Sequence, residues 1–413
     1  MSPMTKSRYA WVLVATLWFI WLFNYLDRQI IFAVFPLLRS DLKLSDFELG
    51  LLSTSFLWVY ALVSPVTGYL GDRLSRKKVI IASLLVWSLV TWATGLAKGF
   101  HELVLARGLM GVSEAAYLPA GLALIADYHS ERTRSLATGL HMSGAYFGVV
   151  MGGVVGGWIG QRYGWRRAFT YLGFVGIAYA LVAAMVLRGR SAKPAREADR
   201  AEAPKPRLGA SLCEVCSLRA FPTLTLVFIV TSMANWLMYT WMPAYLYERF
   251  HMSLLGAGFS ATFYLQAGSL GGMLLGGMLA DRWRAHSQRG RLLTQAVSLA
   301  LAAPFLFLAG MTASAGLLLA AMVIFGIGKG GYDCNIMPVL CEIAPPELRA
   351  TGYGLFNCAG TVAGGVVAAV AGALKSTVGL GSMMQAAGLL FLVAAILLFR
   401  LQLPSFEPQP RSV

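Results

Sequence analysis

The chain has 413 residues, of which 57% are hydrophobic and only 13% are charged, and its formal net charge is +15. A soluble domain carries about 25% charged residues, so this composition excludes an ordinary soluble protein. Apolar stretches long enough to cross a bilayer recur along the chain, and they predict an all-α membrane protein with many spans.

The basic residues stand in short runs between the apolar stretches. Such runs are typical of loops that stay in the cytoplasm, and they do not form the single basic patch of a nucleic-acid-binding protein. We therefore expect no nucleic-acid partner. The basic loops predict a multi-pass protein of the cell's inner (plasma) membrane with both termini in the cytoplasm.

Twelve transmembrane helices are predicted, in two bundles of six. Their approximate ranges are 9–35, 49–71, 79–97, 102–126, 136–160 and 168–187, then 223–246, 257–280, 292–311, 315–340, 351–374 and 382–401. A polar stretch rich in Lys, Arg, Pro, Ala and Glu separates the two sets and predicts a flexible cytoplasmic linker. The predicted domains are a first bundle (1–187), the linker (188–221) and a second bundle (222–413).

The two halves repeat each other. Residues 68–73 (GYLGDR) close the second span and residues 277–282 (GMLADR) close the eighth. Residues 134–139 (RSLATG) open the fifth span and residues 349–354 (RATGYG) open the eleventh. Parallel repeats of this kind predict two bundles that rock about a site at the bilayer midplane.

Residues 24–28 (NYLDR) place two adjacent charges, Asp27 and Arg28, inside the first span. Each charge costs roughly 2.5–3.5 kcal/mol at the centre of an isolated spanning helix. Such charges persist where a water-filled cavity or opposite charges receive them, so this segment is predicted to handle substrate or ions. Asp27 can exchange a proton, whereas Arg28 cannot.

Arg107 and Glu114 lie seven residues apart, on one face of the fourth span. With Asp27 and Arg28 they give two buried acids and two buried bases, a balance that predicts mutual neutralisation, in which an acid that is partnered by arginine stays ionised. Protonation of an acid would free an arginine to bind an anionic substrate through two parallel hydrogen bonds. One alternative is a static cluster of ion pairs that holds the spans together. Another is that Arg107 only extends towards the outer interface.

Lys329 and Asp333 are spaced four residues apart in the tenth span, so they can pair on one helix face. They are predicted either to set the substrate or coupling ion, or to fix helix packing as a neutral pair. Cys213 and Cys216 form a lone Cys-x-x-Cys pair in the linker, and without further ligands this pattern does not predict a metal site.

Residues 68–78 (GYLGDRLSRKK) resemble the signature loop of the major facilitator superfamily, with Ser75 where glycine is usual. The resemblance extends over essentially the whole chain. It implies the major facilitator fold, alternating access and a protein that works as a monomer.

Three segments resemble the anion:cation symporter family, which includes bacterial sugar-acid transporters and vesicular glutamate transporters. They are residues 25–28 (YLDR), 107–115 (RGLMGVSEA) and 356–360 (FNCAG). Residues 24–28 and 68–73 are equally similar to the spinster-like transporters of lysolipids and sphingolipids. The motifs of the first half therefore do not separate the two families.

The symporter resemblance implies that Asp27 and Glu114 carry protons, that Arg28 contacts substrate and that Asn357 donates a hydrogen bond to it. A lone Asn in a span is also common as a link between helices. We therefore expect proton-coupled symport of a small organic anion, a carboxylate or sugar acid, with protons as the coupling ion and no cofactor. The alternative is a spinster-like transporter of lysolipids or other amphiphiles.

The remaining predicted site residues fall into two groups. The predicted substrate contacts are Tyr25, Arg28, Arg107, Tyr239, Gln266, Lys329, Asp333 and Asn357. The predicted gating residues, which lie at cytoplasmic helix ends where charge networks latch one conformation, are Asp72, Arg73, Arg76, Asp127, Asp281 and Arg282. No phosphate-binding loop or arrangement of nucleophile and base is present, so an enzyme is not expected.

Overall fold

A computed structural model describes residues 3–73, 75–188, 208–345 and 348–402, and within these ranges the chain forms α-helices and no strands. The helices are α1 (Pro3–Ala33), α2 (Phe35–Leu42), α3 (Asp46–Arg73), α4 (Arg76–Thr94), α5 (Phe100–Ala115), α6 (Tyr117–Tyr128), α7 (Glu131–Tyr163), α8 (Trp165–Val186), α9 (Leu208–Ser217), α10 (Phe221–Arg249), α11 (Leu254–His286), α12 (Gly290–Met311), α13 (Ala315–Asp333), α14 (Ile336–Ile343), α15 (Arg349–Leu374) and α16 (Leu380–Arg400).

Within the described residues, twelve segments are long and apolar enough to cross a membrane, which confirms the predicted number of spans. Ten of them are single helices or parts of one. The other two are broken, because the fourth span (Phe100–Tyr128) consists of α5 and α6, and the tenth span (Ala315–Ile343) consists of α13 and α14. The sequence predicted both as continuous helices.

Proline explains both breaks. Pro119 and Pro338 lie in the first turn after the break in their spans. A proline cannot donate a backbone hydrogen bond, and its ring clashes with the carbonyl four residues earlier. Each proline also stands five residues after an acid, the buried Glu114 or the partly exposed Asp333, so both halves place an acid just before the break in a span.

The described residues divide into two compact units that do not follow the two halves of the sequence. The first unit contains the first six spans together with Trp236–Phe263 and Gly364–Thr377. The second contains most of α10 to α16, with α9. Helix α9 lies inside the predicted flexible linker, where Val215 is buried, so that part of the linker is ordered; residues 189–207 lie outside the described residues.

A stripe of glycines brings α7 against α1. The glycines recur at every fourth position, which places them on one helix face: Gly144, Gly148, Gly152, Gly156 and Gly160. A Cβ atom added at Gly152 would lie 2.7 Å from the Leu26 carbonyl oxygen and 2.7 Å from Gln29 Cβ. Small residues let helix backbones approach closely in membranes. The stripe therefore fixes the segment of α1 that carries Asp27 and Arg28.

Candidate functional site

Four charged side chains meet inside the first unit. Asp27 and Arg28 come from α1, and Arg107 and Glu114 come from α5. Each is at most 9% exposed, and Glu114 is completely buried. Buried charges are tolerated in a membrane protein when they neutralise one another or face a polar cavity. The predicted cluster of two acids and two bases is therefore present in the folded chain.

Arg28 pairs with Glu114. The Arg28 Nε atom donates to Glu114 Oε2 at 2.6 Å, and Asn24 adjoins the same carboxylate. The contact uses a single donor of the guanidinium, because Arg28 Nη2 has no hydrogen-bond partner among the described residues. An arginine can bind a carboxylate through two parallel hydrogen bonds, so this pair leaves unused donor capacity in a buried place.

Three aromatic rings surround the Arg28 guanidinium. The ring centroids of Tyr25, Phe56 and Tyr60 lie 4.9, 4.9 and 4.8 Å from its central carbon. Cations are attracted to aromatic faces, and the attraction increases when water is excluded. These rings stabilise the buried cation without occupying its hydrogen-bond donors. Tyr25 was predicted from the sequence, but Phe56 and Tyr60 were not. Their spacing of four residues, which places both rings on one face of α3, was the signal that could have identified them.

Asp27 is held differently from Glu114. Thr91 Oγ1 donates to Asp27 Oδ2 at 3.3 Å, and within the described ranges Asp27 makes no ion pair. Within the predicted mutual neutralisation of the cluster, Glu114 therefore pairs directly with an arginine, whereas Asp27 accepts its hydrogen bond from a hydroxyl. Neighbouring side chains on a helix point about 100° apart, which directs Asp27 and Arg28 to different partners. Thr91 was not predicted from the sequence.

Arg107 is enclosed within the first unit. Its Nε atom donates to the Leu52 carbonyl oxygen at 3.2 Å, and its guanidinium lies 4.7 Å from the Phe56 ring centroid. Only 2% of the residue is exposed, so the alternative in which Arg107 extends to the outer interface is wrong. Phe56 thus contacts both arginines, and it separates two positive charges within a small volume.

The second unit carries several of the other predicted contacts. Lys329 Nζ lies 2.5 Å from Asp333 Oδ2, which confirms the predicted pairing on one helix face. Gln266 is buried on α11, whereas Asn357 is exposed on α15. Tyr239 belongs to the first unit, is partly buried, and accepts a hydrogen bond at its carbonyl oxygen from Gln29 Nε2 at 3.3 Å.

Three of the predicted gating residues, Arg76, Asp127 and Asp281, form ion pairs at helix ends. Arg76 pairs with Asp127 and also donates to the Ala123 carbonyl oxygen at 3.2 Å. The side chains of Asp72 and Arg73 lie outside the described residues.

In the second unit, Asp281 pairs with Arg291 at 3.6 Å, while Arg282 makes no ion pair within the described part of the chain. Glu342, which the sequence did not single out, receives Arg284 at 2.8 Å and Arg291 at 3.4 Å. Glu342 thus pairs with two arginines that follow residues 277–282 (GMLADR) in the chain. Among the described residues no group of three metal-ligating side chains comes together.

Known proteins resemble this chain over most of its length. The probable galactarate/D-glucarate transporter GarP of Escherichia coli K12 is 28% identical over 383 residues, covering 86% of this chain and 85% of that protein. The probable sulfoacetate transporter SauU of Cupriavidus necator is 28% identical over 333 residues, covering 76% and 75%. Human protein spinster homolog 1 is 29% identical over 363 residues, covering 82% and 68%.

A solved structure shares the fold. The crystal structure of a bacterial homolog of the human lysosomal transporter Spinster, inward-facing and unoccupied, matches with a TM-score of 0.79 at 22% identity and covers 97% of both chains. The sequence pattern of the Major Facilitator Superfamily matches residues 17–369 and 296–413. Twelve spans, repeated halves and this match agree, and the chain belongs to the major facilitator superfamily.

Proposed function

We propose that this transporter couples proton movement to the symport of a small organic anion, a carboxylate or sugar acid, by alternating access in the inner membrane. The observation that carries the proposal is the buried ion pair between Arg28 and Glu114. In this pair Arg28 occupies the carboxylate that a proton would bind, and Glu114 occupies the guanidinium that a substrate anion would bind. A proton on Glu114 and an anion on Arg28 would therefore replace the same contact, and they are expected to bind together.

In the proposed cycle Arg28 exchanges Glu114 for the substrate. A substrate carboxylate first binds Arg28 through donors such as Nη2, which the Glu114 contact leaves unused. As the substrate takes Arg28, Glu114 loses its counter-charge in a place that water does not reach. An uncompensated buried charge is strongly unfavourable, so Glu114 takes up a proton. Asp27, bound to Thr91 and not paired with an arginine, supplies a second proton-binding group nearby.

The relatives support an anionic substrate. Galactarate, D-glucarate and sulfoacetate, which the names of two relatives give as their substrates, are all small organic anions. An arginine inside an aromatic cage suits such a ligand, because guanidinium recognises carboxylate and sulfonate oxygens alike.

Uptake into proteoliposomes tests this function. Labelled galactarate is supplied with and without an imposed inward proton gradient. Wild-type protein is expected to accumulate it only with the gradient, and Asp27→Asn and Glu114→Gln are expected to lose that accumulation. Asp41→Asn and Glu102→Gln, which neutralise acids outside the cluster, serve as matched controls. Accumulation that ignores the gradient and survives both cluster variants would remove the coupling claim.

A second function, transport of amphiphiles such as lysolipids, is favoured by the spinster-like motifs of residues 24–28 and 68–73 and by the similarity of the chain to human protein spinster homolog 1. A thermal-shift comparison of galactarate with a lysophospholipid separates the two functions, since a ligand that binds the folded state stabilises it. Stabilisation by the lysophospholipid alone would favour this second function.

A further inference from the structure

Four charged side chains alternate around a closed ring in the first unit. Arg39 Nη1 lies 2.6 Å from Glu248 Oε1, and Arg39 also pairs with Asp46. Lys375 Nζ lies 2.7 Å from Glu248 Oε2 and 3.3 Å from Asp46 Oδ1. Each base therefore contacts both acids. None of these residues belongs to the buried cluster around Arg28.

The ring joins the two halves of the sequence. Arg39 and Asp46 lie in α2 and α3, between the first two spans, while Glu248 lies near the end of α10 and Lys375 follows α15. All four therefore lie at the side opposite the basic loops, which is the predicted outer side. Two contacts, Arg39 with Glu248 and Lys375 with Asp46, connect the halves, and the other two stay within a half.

A cation–π contact and hydrogen bonds between uncharged groups lie next to the ring in the same unit. Lys375 Nζ is 5.3 Å from the Trp241 ring centroid, and the buried Trp241 donates to the Ala368 carbonyl oxygen at 3.0 Å. Two turns along α3 from Asp46, the hydroxyls of Ser53 and Thr240 share a hydrogen bond of 3.3 Å. Ser53 and Thr240 are both 0% exposed, so the chain is closed at this level beneath the ring.

We infer that this ring is an ionic lock that holds the outer end of the transport path closed and must open whenever the outer side exchanges substrate. Its side chains remain 12–33% exposed. Ion pairs with that much contact with water are individually weak, so they can break and re-form during a transport cycle. Because each base contacts one acid of each half of the sequence, all four contacts of the ring can form only when the two halves meet in this one arrangement. The inference rests on alternating access, but not on proton coupling or on the identity of the substrate.

A buried cysteine reports whether the lock is open. The natural cysteines are first replaced by serine at positions Cys213, Cys216, Cys334, Cys341 and Cys358. Ser53→Cys then places a thiol beneath the ring, and its rate of reaction with a maleimide is measured in detergent-solubilised full-length protein. With the lock intact, the thiol is expected to react slowly, because position 53 is fully buried.

Charge reversal tests the lock without changing the net charge of either half. Glu248→Lys with Lys375→Glu keeps the pair within the second half but makes both contacts between the halves repulsive. Labelling is then expected to accelerate about tenfold, and more mildly, about threefold, for Lys375→Gln alone. Arg39→Glu with Asp46→Lys should act like the first reversal. All four substitutions together restore alternation and should restore slow labelling.

The control is an ion pair that lies on the same side but stays within the first half. Asp41 accepts hydrogen bonds from Trp165 and Arg166, which hold the pKa of its carboxyl below its usual value. Asp41→Asn should leave the labelling rate unchanged. Equal labelling rates in all variants would overturn the lock. Fast labelling in a monodisperse protein that carries all four reversals would overturn it too. If the labelling rates change as expected but the protein shows no proton coupling, only the proposed function is refuted.

Discussion

The Nε atom of Arg28 lies 2.6 Å from Glu114 Oε2, and this ion pair joins α1 to α5 in the buried centre of the first unit. The neighbouring Asp27 accepts a hydrogen bond from Thr91 and makes no ion pair with an arginine of the described residues. The two acids therefore have different environments, one held by a cation and the other by a hydroxyl. In the proposed function, this difference lets Glu114 respond to a substrate that takes Arg28, while Asp27 responds mainly to protons.

Arg28→Lys should weaken substrate binding although it keeps the positive charge. Lysine cannot form two parallel hydrogen bonds with a carboxylate, and it packs less well among aromatic rings. Because hydrogen bonds to charged groups contribute about 1.5–3 kcal/mol, we expect roughly a 10- to 100-fold loss of galactarate affinity. Isothermal titration in detergent measures it. Arg162→Lys, an exposed position at the end of α7, is the control and should bind as wild type does.

The aromatic cage can be tested at Tyr60. Tyr60→Phe keeps the ring 4.8 Å from the Arg28 guanidinium, whereas Tyr60→Leu removes it. The attraction between a cation and a ring contributes about 0.5–2 kcal/mol, so Tyr60→Leu should lower the free energy of unfolding by that amount and Tyr60→Phe by much less. Thermal unfolding of the purified variants measures both. Equal losses would show that the hydroxyl of Tyr60, and not its ring, makes the stabilising contribution.

The glycine stripe on α7 predicts two opposite effects of the same substitution. Gly152→Ala places a Cβ atom 2.7 Å from the Leu26 carbonyl oxygen, so α1 must shift and the protein should lose about 1–3 kcal/mol of stability. Gly139→Ala, on the same helix, meets no atom within 4 Å and should be neutral or stabilising by up to about 1 kcal/mol. Unfolding temperatures of the two variants compare the effects directly. A Gly152→Ala protein as stable as wild type would contradict the close approach of α1 and α7.

Lys329 and Asp333 offer a test of the two interpretations left open by the sequence. Removing one member of a buried ion pair costs about 3–5 kcal/mol, whereas replacing both members with apolar residues is often neutral. Because Asp333 is partly exposed, we expect Asp333→Leu alone to destabilise by about 1–3 kcal/mol, and Lys329→Met with Asp333→Leu to recover most of that loss.

Transport by the double variant then decides the role of the pair. If the double variant is stable and still accumulates galactarate, the pair fixes packing in the tenth span. If it is equally stable but inactive, the pair takes part in substrate or ion handling. A double variant less stable than either single variant would contradict the expected compensation.

The sequence predicts those features that follow from local composition. Apolar runs predict the twelve spans, and the cost of intramembrane charge identifies Asp27, Arg28, Arg107 and Glu114 as a cluster. Which acid pairs with Arg28 could not be predicted, because the answer depends on how α1 rotates against α5. The glycine stripe on α7 sets that rotation, and its effect appears only after the helices are packed.

Other features were missed for different reasons. The break between α5 and α6 had a local signal in Pro119, which stands five residues after Glu114. The prediction of this span relied on hydropathy, and hydropathy does not register a break at a proline. The outer ring had no local signal, because Asp46 and Lys375 are more than three hundred residues apart and each looks like an ordinary loop charge. Pairings of that kind follow from tertiary structure alone.

Direct measurement of proton movement tests the central claim. Proteoliposomes that contain a pH-sensitive dye are given galactarate without any imposed gradient, and internal acidification is recorded together with substrate uptake. Wild-type protein should acidify the interior in proportion to the galactarate that enters. Glu114→Gln should still exchange internal for external galactarate but should show no substrate-dependent acidification. Acidification that continues at the wild-type ratio in Glu114→Gln would contradict the role of the Arg28–Glu114 pair in coupling.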